Sequence, residues 1–442
     1  MLAAASLACI AHSATRPHYG GTLRVMTSAS IATLDPARSR QLSVAEENTF
    51  RLLFDTLVTM DSRGPQAALA ISWRADSTHQ KWVFVLRRGT TFSDGSPLTP
   101  EVAAASLRMA NAGWKVQSTA DGVTVELSTP DAELPAELAL ARNSIVRRDG
   151  TVLGTGPFVV TRWDEGKKLT LAVREDYWKG RAFLDSIEIE MGRNQREQQI
   201  ALDLGRADII EVAPDQYRRA SLEGRRLVRS RPAELLAVVF ARDAQSPEEA
   251  RLREALSLVI DRKQINQVLL QGGGEVSGGL LPNWVSGYNF LFASDLDLAR
   301  AGQIRGEVKR IPPWSLGYEA NSGMARLVAE RIALDARAAG LTIQPGANPT
   351  DARIARIPLS SGDGNVVLRD LASWLGVAVP ALKTSDPETL YAAESELLHS
   401  GRIIPLLHLP VVAATGDSVR GLEFRMDGTL DLPNAWLAAE KP

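Results

Sequence analysis

Trp82-Val83-Phe84-Val85-Leu86-Arg87-Arg88-Gly89 leads into Phe92-Ser93-Asp94-Gly95-Ser96-Pro97-Leu98-Thr99-Pro100-Glu101, and the stretch reads as a strand, a turn and a helix start. Residues 82–86 are rich in aromatic and β-branched side chains, as strands are. Ser93-Asp94-Gly95-Ser96 is a turn, because Asp and Gly tolerate the backbone conformations a turn demands. Thr99 then caps a helix. Pro100 takes the first helical position, where a missing N–H costs nothing, and Glu101 meets the positive end of the helix dipole. Outward from this unit, Val123-Thr124-Val125-Glu126-Leu127 and Ile187-Glu188-Ile189-Glu190-Met191 alternate apolar and polar, which predicts strands with one buried and one wet face. Residues 248–270 place Leu252, Ala255, Leu256, Val259 and Ile260 on one stripe, predicting a helix that Gly272-Gly273-Gly274 ends. Ala325, Val328, Ile332, Ala336 and Ala339 mark another helix; Gly340 stops it and Leu341-Thr342-Ile343 starts a strand. Strand and helix signals alternate in this way along the whole chain, the pattern of an α/β protein.

The chain has 442 residues, a net charge of -2 and 45% hydrophobic residues. That is a soluble globular composition, long enough for about two to four domains with cores that need no disulfide or metal staple. Fifty basic residues balance fifty-two acidic ones, so no global field draws nucleic acid or anionic lipid. The most basic run, Arg225-Arg226 to Arg229-Ser230-Arg231, is broken by Leu227 and Val228 and reads as a solvated face. Residues 151–157, Ser230-Arg231-Pro232, Ile311-Pro312-Pro313 and Gln344-Pro345-Gly346 punctuate the chain as boundary signals.

Residues 1–13 read as an export leader: an apolar run over 2–10, then Ala11-His12-Ser13, with cleavage before Ala14, although no Lys or Arg precedes the run. The sole cysteine, Cys9, falls inside it. Ser6 stands where a lipoprotein signal places Leu, which disfavours a lipid anchor. No later segment offers about 18 uninterrupted apolar residues to span a bilayer.

Signals for covalent chemistry are absent. Gly154-Thr155-Gly156 lacks the third glycine and the Lys-Ser or Lys-Thr of a phosphate loop, and Pro157 removes a backbone donor; it reads as a tight turn before a strand over 157–161. No Gly-x-Ser-x-Gly elbow occurs. A cleaved chain holds no thiol nucleophile. His12, His18, His79, His399 and His408 lack zinc-site spacing. The expectation is no enzyme, no cofactor and no metal site.

Eight segments, the 82–99 run among them, follow one another along the chain: Gly20-Gly21-Thr22-Leu23-Arg24-Val25, Leu34-Asp35-Pro36, Phe54-Asp55-Thr56-Leu57-Val58, Leu69-Ala70-Ile71-Ser72-Trp73, the 82–99 run, Gly154-Thr155-Gly156-Pro157-Phe158, Asp176-Tyr177-Trp178, and Arg253-Glu254-Ala255-Leu256 through Ile260-Asp261-Arg262. Together they resemble the family 5 extracellular solute-binding proteins, whose better-known members bind oligopeptides, dipeptides or nickel complexes for ABC importers. The chain is shorter than typical members, abbreviated over 112–152 and 288–361, and Ser360-Ser361-Gly362-Asp363-Gly364 stands where an acidic Trp-x-x-Asp-Tyr segment is usual.

The resemblance implies a two-lobed α/β clamp of the periplasmic-binding type, class II-like, with an extra inserted small domain. Lobe one takes 20–36, 155–238 and 411–442, the inserted domain 37–154, and lobe two 239–410, with crossings near 232–240 and 405–412. It also implies an exported monomer on the periplasmic or extracellular face that encloses a small ligand, most often a peptide, and delivers it to the permease subunits of an ABC transporter. A nickel chelate, haem or an oligosaccharide are alternative ligands, a ligand-sensing subunit on a receptor is an alternative role, and a hydrolase is the third option. Candidate ligand contacts follow from matching segments. Val44 lies in a crevice-lining stretch and pairs with an extended ligand as a strand would. Glu46 pairs with a cation or serves as a helix-start acid. Asp363 receives a peptide's amino end, with Arg353, Arg356 and Arg369 nearby for its carboxylate. His408, in Ile404-Pro405-Leu406-Leu407-His408, contacts ligand or is a hydrogen-bonded core histidine. Trp284, Trp314 and Trp374 are candidates for an aromatic wall, which gives contact area at low entropic cost.

Overall fold

A computed structural model describes residues 16–38, 42–309, 312–320, 322–348, 350–378, 382 and 386–438. The leader over 1–13, with Cys9, and Ile311 of one boundary signal lie outside them. Among the described residues no helix is long and apolar enough to cross a membrane.

The opening motif folds as read. Trp82, Phe84 and Leu86 point inward from strand Lys81–Leu86, and the Thr99 hydroxyl accepts from Val102 N–H at the start of helix Pro100–Ala110. Strands Ala70–Ala75, Lys81–Leu86, Gly122–Glu126 and Lys115–Ser118 form a four-stranded antiparallel sheet. Packed against it, the helix contributes Ala103, Ala104 and Leu107 to a separate core with Phe84, Val123 and Val125. This is the inserted small domain. Thr124, expected on a wet face, is buried.

The rest is organised by one eleven-stranded mixed sheet. At one end Phe158–Asp164, Lys168–Val173, Ser186–Glu190, Thr22–Met26 and Ile209–Glu211 lie side by side, the last three mutually parallel. At the other end Ala352–Pro358, Trp314–Gly317 and Ile343–Gly346 continue it. Two long strands join the ends: Arg226–Phe240, of 15 residues, and Ile403–Thr415, of 13. Ordinary strands run about 3–10 residues; these are longer because each passes from one lobe into the other. Residues 226–229 pair with 412–415 in the first lobe and 234–239 with 403–409 in the second. Between the two ladders the register shifts, and Pro232 stands opposite Pro410. Neither proline can donate to a ladder, so Ser230 Oγ substitutes by accepting from Val411 N–H at 2.9 Å. The basic run is the start of a crossing strand, and its Arg226, Arg229 and Arg231 are exposed, as a solvated face requires; Arg226 donates to Val419 O and Arg229 lies over Tyr217.

Residues 233–240 read as an unbroken apolar stretch because both faces of the second-lobe sheet are covered. Leu236, Val238 and Phe240 enter one core with helices Pro247–Val259 and Gly323–Ala338. Leu235, Ala237 and Val239 enter another, beneath helices Gly364–Leu375 and Pro387–His399. The helix expected over 248–270 is interrupted. Helix Pro247–Val259 stops at Ile260, Asp261 caps a new turn by accepting from Gln264 N–H at 2.9 Å, and a π-turn follows over Ile265–Leu269. Arg262 holds the break by donating to Pro405 O and Ser257 O, both at 2.8 Å.

Candidate functional site

Parallel strands leave side chains and open backbone groups at their carboxyl ends, where α/β proteins bind ligands. Here both lobes turn those ends toward each other. From the first lobe come Met26 to Ala29 after strand Thr22–Met26 and Glu211 to Ala213 after Ile209–Glu211; from the second come Tyr318 to Ala320 after Trp314–Gly317 and Ala347 after Ile343–Gly346. Glu234 and residues 410–413 of the crossing strands form the base. The cavity between the lobes measures about 790 Å³, a volume usual for small-ligand sites.

Helix Val44–Leu53 forms the side. Ser43 caps it and Glu46 completes the capping box, accepting from Ser43 N–H and Oγ–H at 2.9 Å each. Helical spacing then brings Val44, Ala45, Asn48 and Thr49 onto the cavity.

Charges of both signs line the walls. Glu211 is fixed on the first lobe, accepting from Thr27 Oγ at 2.6 Å and from Ser28 N–H and Oγ at 2.8 and 2.6 Å. Arg356 is paired with Glu234 across adjacent strands, and that carboxylate raises the guanidinium's pKa further. Arg353 lies 5.1 Å over the Trp374 ring. Arg353 and Glu319 both face the cavity and make no ion pair among the described residues.

Of the seven candidate residues, Val44 and Trp374 stand in the cavity wall. Val44 heads a helix and is not extended, so strand-like pairing with a ligand does not apply to it. The other five are engaged elsewhere. Glu46 closes its own helix cap. Asp363 caps helix Gly364–Leu375, accepting from Val366 N–H at 3.1 Å. His408 is 1% exposed in the second lobe, its Nε2–H donates to Leu280 O at 3.0 Å, and burial holds its pKa down at about 4. Trp314 packs edge-on against Phe240 in a core. Trp284 donates from its indole to Pro232 O at 2.8 Å beside the crossing. Of the nearby cations, Arg369 is bound to Asp131 of the inserted domain. Glu211, Glu319, Tyr318 and Asn48 were not singled out from sequence. Helical spacing from Val44 points to Asn48; the others become neighbours only through the sheet order.

Gly154 and Gly156, set aside as a phosphate loop, have a packing role. A Cβ at Gly154 would lie 1.9 Å from Leu53 O, and one at Gly156 would lie 2.4 Å from Leu53 C, so the chain here lies directly on the end of the site helix.

Residues 64–357 match the model of the bacterial extracellular solute-binding proteins, family 5. A probable D,D-dipeptide-binding periplasmic protein of Escherichia coli is 24% identical over 291 residues, 58% of this chain and 56% of that protein. The Streptomyces lividans protein XP55 is 27% identical over 61% of this chain and 55% of its own length. The chain therefore spans about half the length of the curated relatives it matches. Among solved structures, the Helicobacter pylori periplasmic binding protein DppA, in complex with the peptide STSA, superposes with a TM-score of 0.81 at 17% identity over 96% of this chain and 99% of that one. The same two-lobed fold accounts for the cleft between the lobes, and the matched stretch covers more than half of the sequence: this chain belongs to family 5 of the bacterial extracellular solute-binding proteins.

Proposed function

We propose that the chain captures a short peptide outside the cytoplasm and presents the closed clamp to the permease subunits of an ABC importer, acting as a monomer and without covalent chemistry. The observation that carries this reading is a cleft built from both lobes and holding Arg353 and Glu319, charges of opposite sign with no ion-pair partner among the described residues. A peptide's ends lose water when the lobes shut and need opposite charges to offset that loss. In this assignment Arg353, placed over the Trp374 ring, takes the carboxylate and Glu319 the ammonium, while Val44 and Asn48 bound the middle. Residues 239–410 are the moving lobe, and 37–154 ride on the other. The names of the Escherichia coli relative and of the Helicobacter pylori complex support a peptide ligand.

A ligand that bridges the lobes favours the closed state by its differential affinity. A panel of di- to pentapeptides added to the purified protein should raise its melting temperature and shrink its radius of gyration in solution scattering. At a hundred times Kd the stabilisation should be about 2.7 kcal/mol. No melting shift and no compaction with any peptide would overturn the reading. Mass spectrometry of co-purified ligand separates a peptide from a nickel chelate, haem or sugar.

A further inference from the structure

We propose that a side pocket next to the main cavity receives a cationic side chain of the ligand, an ammonium or guanidinium, on the carboxylate of Glu47. This rests on the peptide reading above and adds a specificity to it. The pocket measures about 320 Å³ and shares Leu42, Pro358 and Trp374 with the main cavity. Beyond those shared walls it is lined by Glu47, Arg142 and Asp370. A side chain leaving the main cavity past the Trp374 ring enters it.

Glu47 comes from the site helix, three residues after Val44, and so lies on a neighbouring strip of that helix's surface. It is 8% exposed. Its carboxylate has no hydrogen-bond or ion-pair partner among the described residues. The cations close by are already committed. Arg142, from the inserted domain, holds Asp370 through two bonds of 2.8 Å and Glu137 at 2.7 Å. Arg51, on the same helix, holds Asp427. The pocket lining therefore carries two carboxylates against one guanidinium, and one carboxylate is unanswered.

A buried carboxylate without a partner is unfavourable ionised. Burial first, then Asp427, raise Glu47 to about 8; Arg51 and Arg142 oppose this, and Asp370 adds the least. At neutral pH the acid is thus mostly protonated while the pocket is empty. An arriving ammonium restores the charged form and displaces the proton, so binding of a cationic side chain is coupled to proton release.

The probes are Ala-Ala-Ala and tripeptides with Lys or norleucine at each of the three positions; norleucine keeps the four-carbon stem without the charge. Titration calorimetry at pH 7 in two buffers of different ionisation enthalpy reads affinity and proton release together. At one position Lys should bind at least about tenfold tighter than norleucine, with release approaching one proton per complex, and Glu47→Gln should bring that ratio to near one and abolish the release. A Lys-to-norleucine ratio within about twofold at every position, with Ala-Ala-Ala binding, overturns the side pocket and leaves the peptide reading intact. A Lys preference that survives Glu47→Gln also overturns it. If no tripeptide binds, the peptide reading fails and this inference with it. Should Glu47→Gln not fold, the wild-type ratio and proton count decide.

Discussion

Leu280 is held on both sides of its backbone. Its N–H, with that of Leu281 at 3.1 Å, donates to the Glu394 carboxylate, which also accepts from Tyr288 OH at 2.9 Å. Its carbonyl accepts from His408. Both side chains are buried, and burial shifts them toward neutrality: Glu394 up to about 7, His408 down to about 4. For Glu394 the folded state binds the proton more tightly than the unfolded chain, so stability falls as pH rises from the unfolded carboxyl value to about 7. For His408 the unfolded chain binds the proton more tightly, so stability falls as pH drops from about 6.5 to about 4. Between about pH 4.5 and 6.5 the two slopes oppose each other, each near 1.4 kcal/mol per pH unit. Glu394→Gln should therefore uncover a stability that rises with pH over that window, and His408→Gln one that falls. Urea unfolding at pH 4.5, 5.5 and 6.5 measures both slopes against wild type; two unchanged slopes would remove the coupling. The candidate role of His408 as a ligand contact gives way, on this geometry, to the core role weighed beside it.

At the scale of elements, the site helix Val44–Leu53 is positioned by what lies against its end. Gly156 N–H donates to Leu53 O at 3.0 Å, and Ser93 N–H donates to Gly154 O at 2.9 Å, tying the opening motif's turn to the same place. Gly154→Ala puts a methyl into a backbone carbonyl that cannot step aside, and should cost about 3 kcal/mol; a guanidinium melt reads the loss, and a cost under about 1 kcal/mol would show that the helix end yields. Elements of this kind were legible wherever local chemistry decides them. The strand over 82–86, the Thr99 cap and the alternation of Ile187 and Ile189 follow from residues adjacent in sequence. The break after Val259 was not legible, because periodicity records the apolar stripe and is blind to Asp261 becoming a cap. The crossings near 232–240 and 405–412 came from the family resemblance; what local residues did not show is the register shift between Arg229 and Glu234, where a polar run with a proline reads as a boundary although the strand continues. The site was legible in part for the same reason. Trp374 and Val44 stand in its wall, while Glu211 ends strand Ile209–Glu211, Glu319 follows the end of Trp314–Gly317, and Arg353 lies at the start of strand Ala352–Pro358 beside the latter, so the three line one gap only through the sheet order.

On the scale of the whole molecule, the inserted domain touches the second lobe as well as the first. Asp131 pairs with Arg369, Arg142 is bidentate to Asp370, and Ser360 Oγ–H donates to Asp370 at 2.5 Å. Beside these pairs Val366 is fully buried against Ala136 and Leu140. Residues 131–142 and helix Gly364–Leu375 thus hold the two sides of the molecule together in this structure. If opening of the lobes breaks this clasp, weakening it shifts the balance toward the open state. Removing one partner of a half-buried pair costs between the ~1 kcal/mol of an exposed pair and the ~3–5 kcal/mol of a buried one, part of it from the charge left behind. Arg369→Met removes a cation that lines neither cavity, so its effect reports the clasp alone. A loss of about 1.4 kcal/mol from the closed state lowers its population relative to the open state tenfold, and apparent affinity falls by up to the same factor. The variant should show a larger radius of gyration without peptide and a Kd for Ala-Ala-Ala weaker by about three- to tenfold, and Asp131→Asn should match it. The double variant should lose no more than either single one, since both break one pair. Unchanged scattering together with unchanged affinity would mean that the crossing strands alone set the balance between open and closed.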